Sequence, residues 1–381
     1  MRRLFGHRAE RAGDKLWRVP WLVLALAGAL AAIGTSTLYS VAGGAMQPWA
    51  ETHALRFMMG AAAVLAMAVV PLNVWGRLAY PVYGVALLLL AMVPFLGTEV
   101  MGARRWLGIG GLSVQPAELM KVGLVLALAR FYQWLPEGEV SRPQWVGAGL
   151  LLIAAPVLLT LRQPDLGTAV LLAALGLILM FLAGTSFLYY AGAALGVWLI
   201  APSVWTGLHE YQKRRIEVFL DPELDPLGAG YHITQSKIAL GAGGAGGKGF
   251  MLGTQSQLDF LPEKHTDFIF TMFSEEWGFA GAVVLLAIYG TLLALLMVMS
   301  LQVRSPFGRL LVSGAALMIF LYLFINVAMV TGLVPVVGVP LPFVSYGGTA
   351  MTALVAALGL AMSAHVHRNE PMARGRLGGL I

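Results

Sequence analysis

The 381-residue chain has no cysteine and little charge. The lack of cysteine excludes disulfide frameworks and thiolate metal sites. Charged residues make up 12% of the chain and hydrophobic residues 58%, with a mean hydropathy of +0.77, whereas soluble domains carry about 25% charged residues. The composition therefore predicts a polytopic membrane protein. The pI near 9.6 does not indicate nucleic-acid binding, because the basic residues lie in loops beside apolar segments.

Apolar runs of membrane-spanning length follow one another along the chain. A span needs roughly 20 apolar residues, and hydropathy predicts about ten such helices. The predicted spans are residues 19–40, 54–72, 78–97, 116–132, 146–162, 166–183, 186–206, 267–299, 308–332 and 341–364. The first run lacks a small-residue cleavage site, so it is interpreted as an uncleaved span. The expected fold class is an all-α polytopic membrane protein.

The distribution of lysine and arginine predicts the orientation. Short cytoplasmic loops are richer in these residues than outer loops, and this rule places both termini inside. A basic N-terminus (1–18) would precede one transmembrane domain (19–366), and a cytoplasmic tail (367–381) would follow it. A long loop, residues 207–266 between the seventh and eighth spans, would face outward. Any chemistry must sit within the membrane or in this loop.

The long loop contains a glycine-rich stretch, "GAGGAGGKGFMLG" (241–253), after a short predicted helix at 231–240. The stretch matches G-x-G-x-x-G, but dinucleotide binding needs a strand before it and a helix after it. One interpretation is a flexible hinge, and the other is a backbone cradle for phosphate. Lys248 and Lys264 are candidate cations for such a phosphate.

One acid lies at the outer mouth of the eighth predicted span, in "LPEKHTDFIF" (261–270). Asp267 begins a stripe of small and polar residues along one helix face. The further members of the stripe are Thr271, Ser274 and Gly278. Such a stripe is typical of a groove wall, and an acid at this depth is a functional hypothesis. The alternative is that Asp267 caps the helix.

Other polar residues near or inside the predicted spans have ordinary structural interpretations beside functional ones. Glu118 and Lys121 are three residues apart and can pair on one helix face, and a structural ion pair is the favoured interpretation. Asn326 is interpreted as a contact between helices. Asp165 is interpreted as a helix cap.

"GARRWLGIG" (102–110) places Arg104 and Arg105 beside Trp106 on the outer side. Adjacent arginines suit a phosphate group, whereas Trp106 alone is typical of an interfacial anchor. The stretch "PLPFVSYGG" opens the last predicted span and carries Ser345, a further candidate for substrate binding.

The chain resembles the SEDS family of bacterial peptidoglycan polymerases (shape, elongation, division and sporulation proteins) over about residues 20–368. The motifs that carry the resemblance are "GARRWL" (102–107), "QPAELMK" (115–121), "RQPDLGTA" (162–169), "DPLGAGYHITQSKIALGAGG" (225–244), "LPEKHTDFIF" (261–270) and "PLPFVSYGG" (340–348). "GTQSQL" (253–258) resembles the RodA branch more than the FtsW branch.

The resemblance implies a glycosyltransferase that polymerises lipid II at the outer face of the bacterial cytoplasmic (inner) membrane during cell elongation. It implies a class B penicillin-binding protein, which supplies the transpeptidase, the elongation machinery and membrane lipids as partners. The positions that match the family's motifs are Asp267 for its essential acid, Arg104, Arg105 and Trp106 for its Arg–Trp motif, and Glu118 with Lys121 for its buried acid–base pair.

A single acid fits this chemistry. Asp267 would act as general base on the acceptor's 4-hydroxyl, and that oxygen would attack the donor's anomeric carbon with inversion from α to β. The leaving group, undecaprenyl pyrophosphate, needs cations rather than a proton. The candidates are Arg104, Arg105, Lys248 and Lys264, and a divalent metal such as Mg²⁺ or Mn²⁺ is an open alternative.

Two other functions fit parts of the sequence. A transporter that flips lipid-linked precursors would also have many spans, buried charges and interrupted helices. The polar, basic and glycine-rich residues concentrate on the outer side, however, which favours the polymerase. A scaffold that only positions the penicillin-binding partner is the third interpretation, and it predicts that Asp267 is dispensable.

Overall fold

The computed structural model describes residues 12–100, 103–109, 112–136, 138–163, 165–207, 213, 217–218, 221, 224–225, 229–254, 261 and 263–372. Three sets of predictions lie outside the described residues. These are the ones on the chain before residue 12, on the tail after residue 372, and on "QSQL" (255–258) of the RodA-like motif.

Helices make up most of the described chain. They are α1 (Ala12–Leu16), α2 (Trp21–Val41), α3 (Ala50–Ala68), α4 (Leu72–Leu96), α5 (Pro116–Trp134), α6 (Pro143–Leu161), α7 (Leu166–Leu182), α8 (Phe187–Gly207), α9 (Ala229–Gly243), α10 (Ile269–Gln302), α11 (Pro306–Val330) and α12 (Gly348–Val366). Every predicted span overlaps one of these helices. Within the described residues, six helices are long and apolar enough to cross a membrane, namely α2, α4, α6, α10, α11 and α12.

The centre of the bundle is formed by α5, α11 and α12, whose residues are mostly buried. Glycines allow the helix backbones to approach closely. A Cβ added at Gly314 on α11 would lie 2.4 Å from Val125 Cγ1 on α5, and one at Gly123 would lie 3.2 Å from Tyr83 Cα on α4. Helix α5 is therefore enclosed by its neighbours, and its ionisable residues must find partners inside the protein.

The expectation of an all-α fold is wrong in one place. The stretch between α4 and α5 forms a three-stranded antiparallel sheet in the order β1 (Thr98–Val100), β2 (Ala103–Ile109), β3 (Leu112–Val114). Thr98 pairs with Trp106, and Leu107 pairs with Val114. A hairpin sheet satisfies backbone polar groups that a loop at a membrane surface would leave unpaired.

Helix α10 is interrupted at Gly278, whose backbone is non-helical (φ 66°, ψ −167°). Residues 269–276, before the break, are buried, including Glu275 and Glu276. A break in a helix leaves carbonyl and amide groups without intrahelical partners. At membrane depth such a break is tolerated only where other protein groups satisfy it.

The glycine-rich segment (244–249) provides those groups. The amides of Lys248 and Gly249 donate to the carbonyls of Glu275 (3.0 Å) and Glu276 (3.0 Å) before the break. After the break, the amide of Phe279 donates to the carbonyl of Gly244 (2.8 Å). These bonds fix the segment against α10 and occupy the amides of Lys248 and Gly249. Neither the flexible-hinge nor the phosphate-cradle interpretation fits the observed packing.

The polar stripe on α10 faces α9 rather than a groove. The hydroxyl of Thr271 lies 2.8 Å from that of Ser236 on α9, and a Cβ added at Gly243 would lie 2.3 Å from the carbonyl oxygen of Ser274. The groove-wall prediction is therefore wrong for the buried members of the stripe. Small residues at these positions allow α9 to pack closely on α10.

Candidate active site

Asp267 lies in a turn (263–268) that immediately precedes α10. The amides of Thr266 and Phe268 both donate to the carbonyl of Glu263, each at 3.2 Å. Phe268 is the N-cap of α10, and no side chain caps this helix. The capping interpretation of Asp267 is therefore wrong, and the carboxylate is available for another role.

The Asp267 carboxylate lies close to Gly338, in the segment between α11 and α12. A Cβ added at Gly338 would lie 3.1 Å from Asp267 Oδ2. No ion pair or hydrogen bond to this carboxylate occurs within the described part of the chain. Burial, and then the neighbouring negative charge of Glu263, raise the pKa of Asp267 to about 7. A carboxylate with this pKa can accept a proton near neutral pH.

Two side chains hold the turn by its backbone. Asn326 on α11 donates through Nδ2 to the carbonyl of Asp267 (2.9 Å) and to that of Val339 (2.6 Å). The Ser345 hydroxyl donates to the carbonyl of Thr266 (2.6 Å) and accepts from the Leu341 amide (2.7 Å). The sequence predicts that Ser345 binds substrate, whereas its hydroxyl is committed to these backbone groups. Asn326 bonds to loop backbone rather than to another helix, which residue type alone does not reveal.

An aromatic group packs behind the turn. The rings of His265 and Trp49 are stacked with centroids 4.5 Å apart, and the Tyr346 ring is tilted against His265 with centroids 6.0 Å apart. The Arg56 guanidinium lies 5.0 Å from the Tyr346 ring centroid. Burial is the main cause that lowers the pKa of His265. No sequence pattern points to this group, because its members come from segments far apart in the chain.

The predicted phosphate-binding arginines lie on β2. Arg105 Nε lies 3.7 Å from Asp165 Oδ2, and the Asp165 side chain accepts from the Thr168 amide at 3.3 Å. The prediction that Asp165 caps a helix is confirmed, and the pairing with Arg105 is an addition to it. Arg104 is 54% exposed and lies 3.9 Å from Glu99.

Residues 337–338 lie close to both the start of α7 and the Asp267 carboxylate. A Cβ added at Gly167, in the first turn of α7, would lie 2.9 Å from Val337 Cβ. The neighbouring Gly338 is the residue that faces the Asp267 carboxylate. The helix start that holds Arg105 and the turn that carries Asp267 thus contact the same short stretch of chain.

The two predicted lysines differ in their surroundings. Lys248 Nζ lies 2.7 Å from Glu275 Oε1 and donates to the Thr254 hydroxyl at 2.7 Å, beside the break in α10. Lys264 lies in the Asp267 turn and is buried. The sequence does not predict the pairing of Lys248 with Glu275, because it joins residues on two elements.

Glu118 and Lys121 form a buried pair, as their spacing predicts. Lys121 Nζ donates to Glu118 Oε1 at 2.7 Å. The Tyr322 hydroxyl on α11 accepts from Lys121 and donates to Glu118 Oε2. This three-residue network ties α5 to α11. In the part of the chain that the structure describes, no three His, Asp or Glu side chains are grouped as a metal site would need.

The chain matches the profile of the family described as "Cell cycle protein" (FtsW, RodA, SpoVE) over residues 15–370. The chain belongs to this family. It is 45% identical over 313 residues to "Peptidoglycan glycosyltransferase MrdB" of Escherichia coli (strain K12), covering 81% of this chain and 84% of that protein. The resemblance to SEDS proteins and the preference for the RodA branch are confirmed.

Solved structures agree with this assignment. The fold is similar to one described as "Structural coordination of polymerization and crosslinking by a peptidoglycan synthase complex", with a TM-score of 0.81, 34% identity and coverage of 93% of this chain and 99% of that one. It is also similar to the Thermus thermophilus rod shape determining protein RodA (TM-score 0.69, 30% identity, 93% and 98% coverage). The chain is thus a multi-pass membrane protein of the SEDS type.

Proposed function

We propose that the chain polymerises lipid II into glycan strands at the outer face of the bacterial cytoplasmic membrane, with Asp267 as the general base. The relatives establish that the chain is a peptidoglycan glycosyltransferase of cell elongation. The observation that supports Asp267 as the general base is its carboxylate, which faces Gly338 and has a pKa of about 7.

The reaction needs one proton acceptor and one stabilised leaving group. Asp267 takes the proton from the acceptor's 4-hydroxyl, and the freed oxygen forms a bond to the donor's anomeric carbon. The bond from that carbon to the pyrophosphate oxygen breaks, and the electron pair leaves with undecaprenyl pyrophosphate. A second carboxyl acid, which an inverting glycosidase uses, is unnecessary because pyrophosphate is a weak base.

Arg104 and Arg105 on β2 are the best-placed source of positive charge for that leaving group. Arg105 on β2 pairs with Asp165 at the start of α7, that helix start contacts Val337, and the next residue, Gly338, faces Asp267. Arginine suits phosphate because its fork donates two parallel hydrogen bonds. Lys248 is bound to Glu275, so in this proposal it stabilises the break in α10. Lys264 and Trp106 remain proposed substrate contacts.

The topology follows from the same reaction. Asp267 and loop 207–266 face the outside of the inner membrane, and both termini face the cytoplasm, with about ten spans between them. The transmembrane domain covers residues 19–366, flanked by the basic N-terminus (1–18) and the tail (367–381). A class B penicillin-binding protein crosslinks the product. Its participation is supported by the similarity to a structure described as a peptidoglycan synthase complex.

Reconstitution tests this function. The purified chain is placed in proteoliposomes with labelled lipid II, with and without a class B penicillin-binding protein, and glycan length is followed on a gel. We expect long strands from wild type and none from Asp267→Ala at equal folded protein. Strands from both would remove Asp267 as the base.

The two rival functions give different results in the same experiment. A transporter would move lipid II between leaflets and produce no strands from wild type even with the partner present. A scaffold would produce no strands from wild type either, because the partner only crosslinks strands, and unlike a transporter it would leave lipid II in its leaflet. Either result would overturn the proposal.

A further inference from the structure

Asn326 connects the two backbone segments that border the Asp267 carboxylate. It is fully buried on α11. Its single amide nitrogen donates to the Asp267 carbonyl at 2.9 Å and to the Val339 carbonyl at 2.6 Å. Val339 follows Gly338, which faces Asp267 Oδ2. One side chain therefore holds both the residue that carries the carboxylate and the wall against which that carboxylate lies.

We propose that Asn326 is a positioning residue that sets the location of the Asp267 carboxylate by clamping its turn to residues 338–339. The inference rests on the proposed role of Asp267 as general base. Asn326 touches no reacting atom in this account, because both of its bonds are to backbone carbonyls.

The side chain at this position donates two hydrogen bonds from one nitrogen, to carbonyls of two different segments. An amide NH₂ group has two donors. Leucine has a similar volume and none, and an ionised aspartate would place negative charge against two carbonyl oxygens. Without the clamp, the carbonyls of Asp267 and Val339 lose their hydrogen-bond partner. We expect water to enter between the turn and residues 338–339, because a hydrogen bond to water costs less free energy than an unsatisfied carbonyl. Water would then reach the carboxylate and lower its pKa, since burial is the main cause that raises it.

Glu263 is the ionisable group whose charge acts on Asp267. The turn also carries Lys264 and His265, His232 on α9 lies beside Phe268 of the same turn, and the Arg105–Asp165 pair lies at the start of α7. Residues 331–345 add no charged side chain. Asn326 is neutral, so its removal changes the pKa of Asp267 through solvation and geometry rather than through charge.

The test is the pH profile of kcat/KM for lipid II polymerisation by the full chain in proteoliposomes. We expect Asn326→Leu to move the midpoint of the acid limb to lower pH and to reduce kcat by about 10- to 100-fold, with KM within about twofold. Asn326→Gln restores the donor, so part of the shift in the acid-limb midpoint and part of the loss in kcat should be recovered. The matched control is Thr331→Val, which removes a hydroxyl bonded within α11 to the Val327 carbonyl and should change neither.

An unchanged midpoint in Asn326→Leu, with activity reduced only in proportion to folded protein, would overturn the inference. If that variant is not recovered folded, Asn326→Ser keeps one donor and is judged by the same midpoint. Failure of the proposed function is distinguishable, because it would appear as polymerisation by Asp267→Asn in the same preparation.

Discussion

Gly338 faces the carboxylate of Asp267 so closely that an added Cβ would lie 3.1 Å from Oδ2. The backbone of Gly338 has a positive φ of 72°, a conformation that residues with a Cβ rarely adopt. The main chain at Gly338 therefore covers one side of the carboxylate. This arrangement makes the proton affinity of Asp267 sensitive to small changes in its turn.

Glu263 is the charge that acts most directly on Asp267. It raises the Asp267 pKa to about 7 together with burial, which is the larger cause. Since a general base works when deprotonated, kcat/KM should fall as the pH drops below about 7. Glu263→Gln removes the negative charge, so the Asp267 pKa falls and the acid limb of the pH profile moves to lower pH. Glu139→Gln removes a carboxylate that instead lies near Arg142, and its profile should match wild type.

The pairing of Asp165 with Arg105 separates helix capping from substrate binding. Asp165→Asn keeps an oxygen for the Thr168 amide but removes the charge opposite Arg105, whereas Asp165→Ala removes both. We expect Asp165→Ala to lose about 1 kcal/mol of stability and Asp165→Asn to lose less. Arg105→Ala should lower kcat/KM roughly 10- to 100-fold, as loss of a charge-assisted hydrogen bond predicts. Full activity of Arg105→Ala would remove it from the leaving-group site.

The contact between the glycine-rich segment and the break in α10 leaves no room for a side chain. A Cβ added at Gly247, where φ is +81°, would lie 2.1 Å from the Glu276 carbonyl oxygen. Gly247→Ala should therefore destabilise the protein by roughly 2–5 kcal/mol through strain and overpacking. Gly246→Ala is the matched control, since nothing lies within 4 Å of a Cβ there. Thermal unfolding of the two detergent-solubilised variants measures the difference, and equal melting temperatures would contradict it.

The buried network of Glu118, Lys121 and Tyr322 can be tested as a structural ion pair. Lys121→Met leaves an unpaired buried carboxylate and should cost about 3–5 kcal/mol. The double variant Glu118→Leu with Lys121→Met removes both charges and should recover most of that loss, together with polymerase activity per folded molecule. A double variant that folds but does not polymerise lipid II would instead place the pair in the reaction.

The helices could be predicted because hydropathy reports the cost of placing polar groups in lipid. Every predicted span overlaps a helix, and the buried Glu118–Lys121 pair and the Asp165 cap follow from spacing within single elements. The family motifs in the sequence are also sufficient to identify Asp267 and the two adjacent arginines as candidates.

The errors arise where contacts between distant segments decide the outcome. The stripe residues from Thr271 onward are small and polar because α9 packs against them. Periodicity along one helix cannot reveal such a contact with another helix. The glycine-rich segment has the composition of a hinge, yet its amides satisfy the break at Gly278. The amide of Asn326, interpreted as a contact between helices, serves backbone carbonyls from two loop segments. The strands near Arg105 are too short to show clear alternation.

The most direct test of the central claim is the single-turnover rate of glycan bond formation by Asp267→Asn, because asparagine keeps the shape of the side chain and removes the base. The rate is measured with lipid II in proteoliposomes at a pH about one unit above the Asp267 pKa of about 7, where the wild-type carboxylate is mostly deprotonated. A loss of roughly 10²–10⁴-fold at equal folded protein is the result we predict. A rate close to wild type would contradict the assignment of Asp267 as the general base.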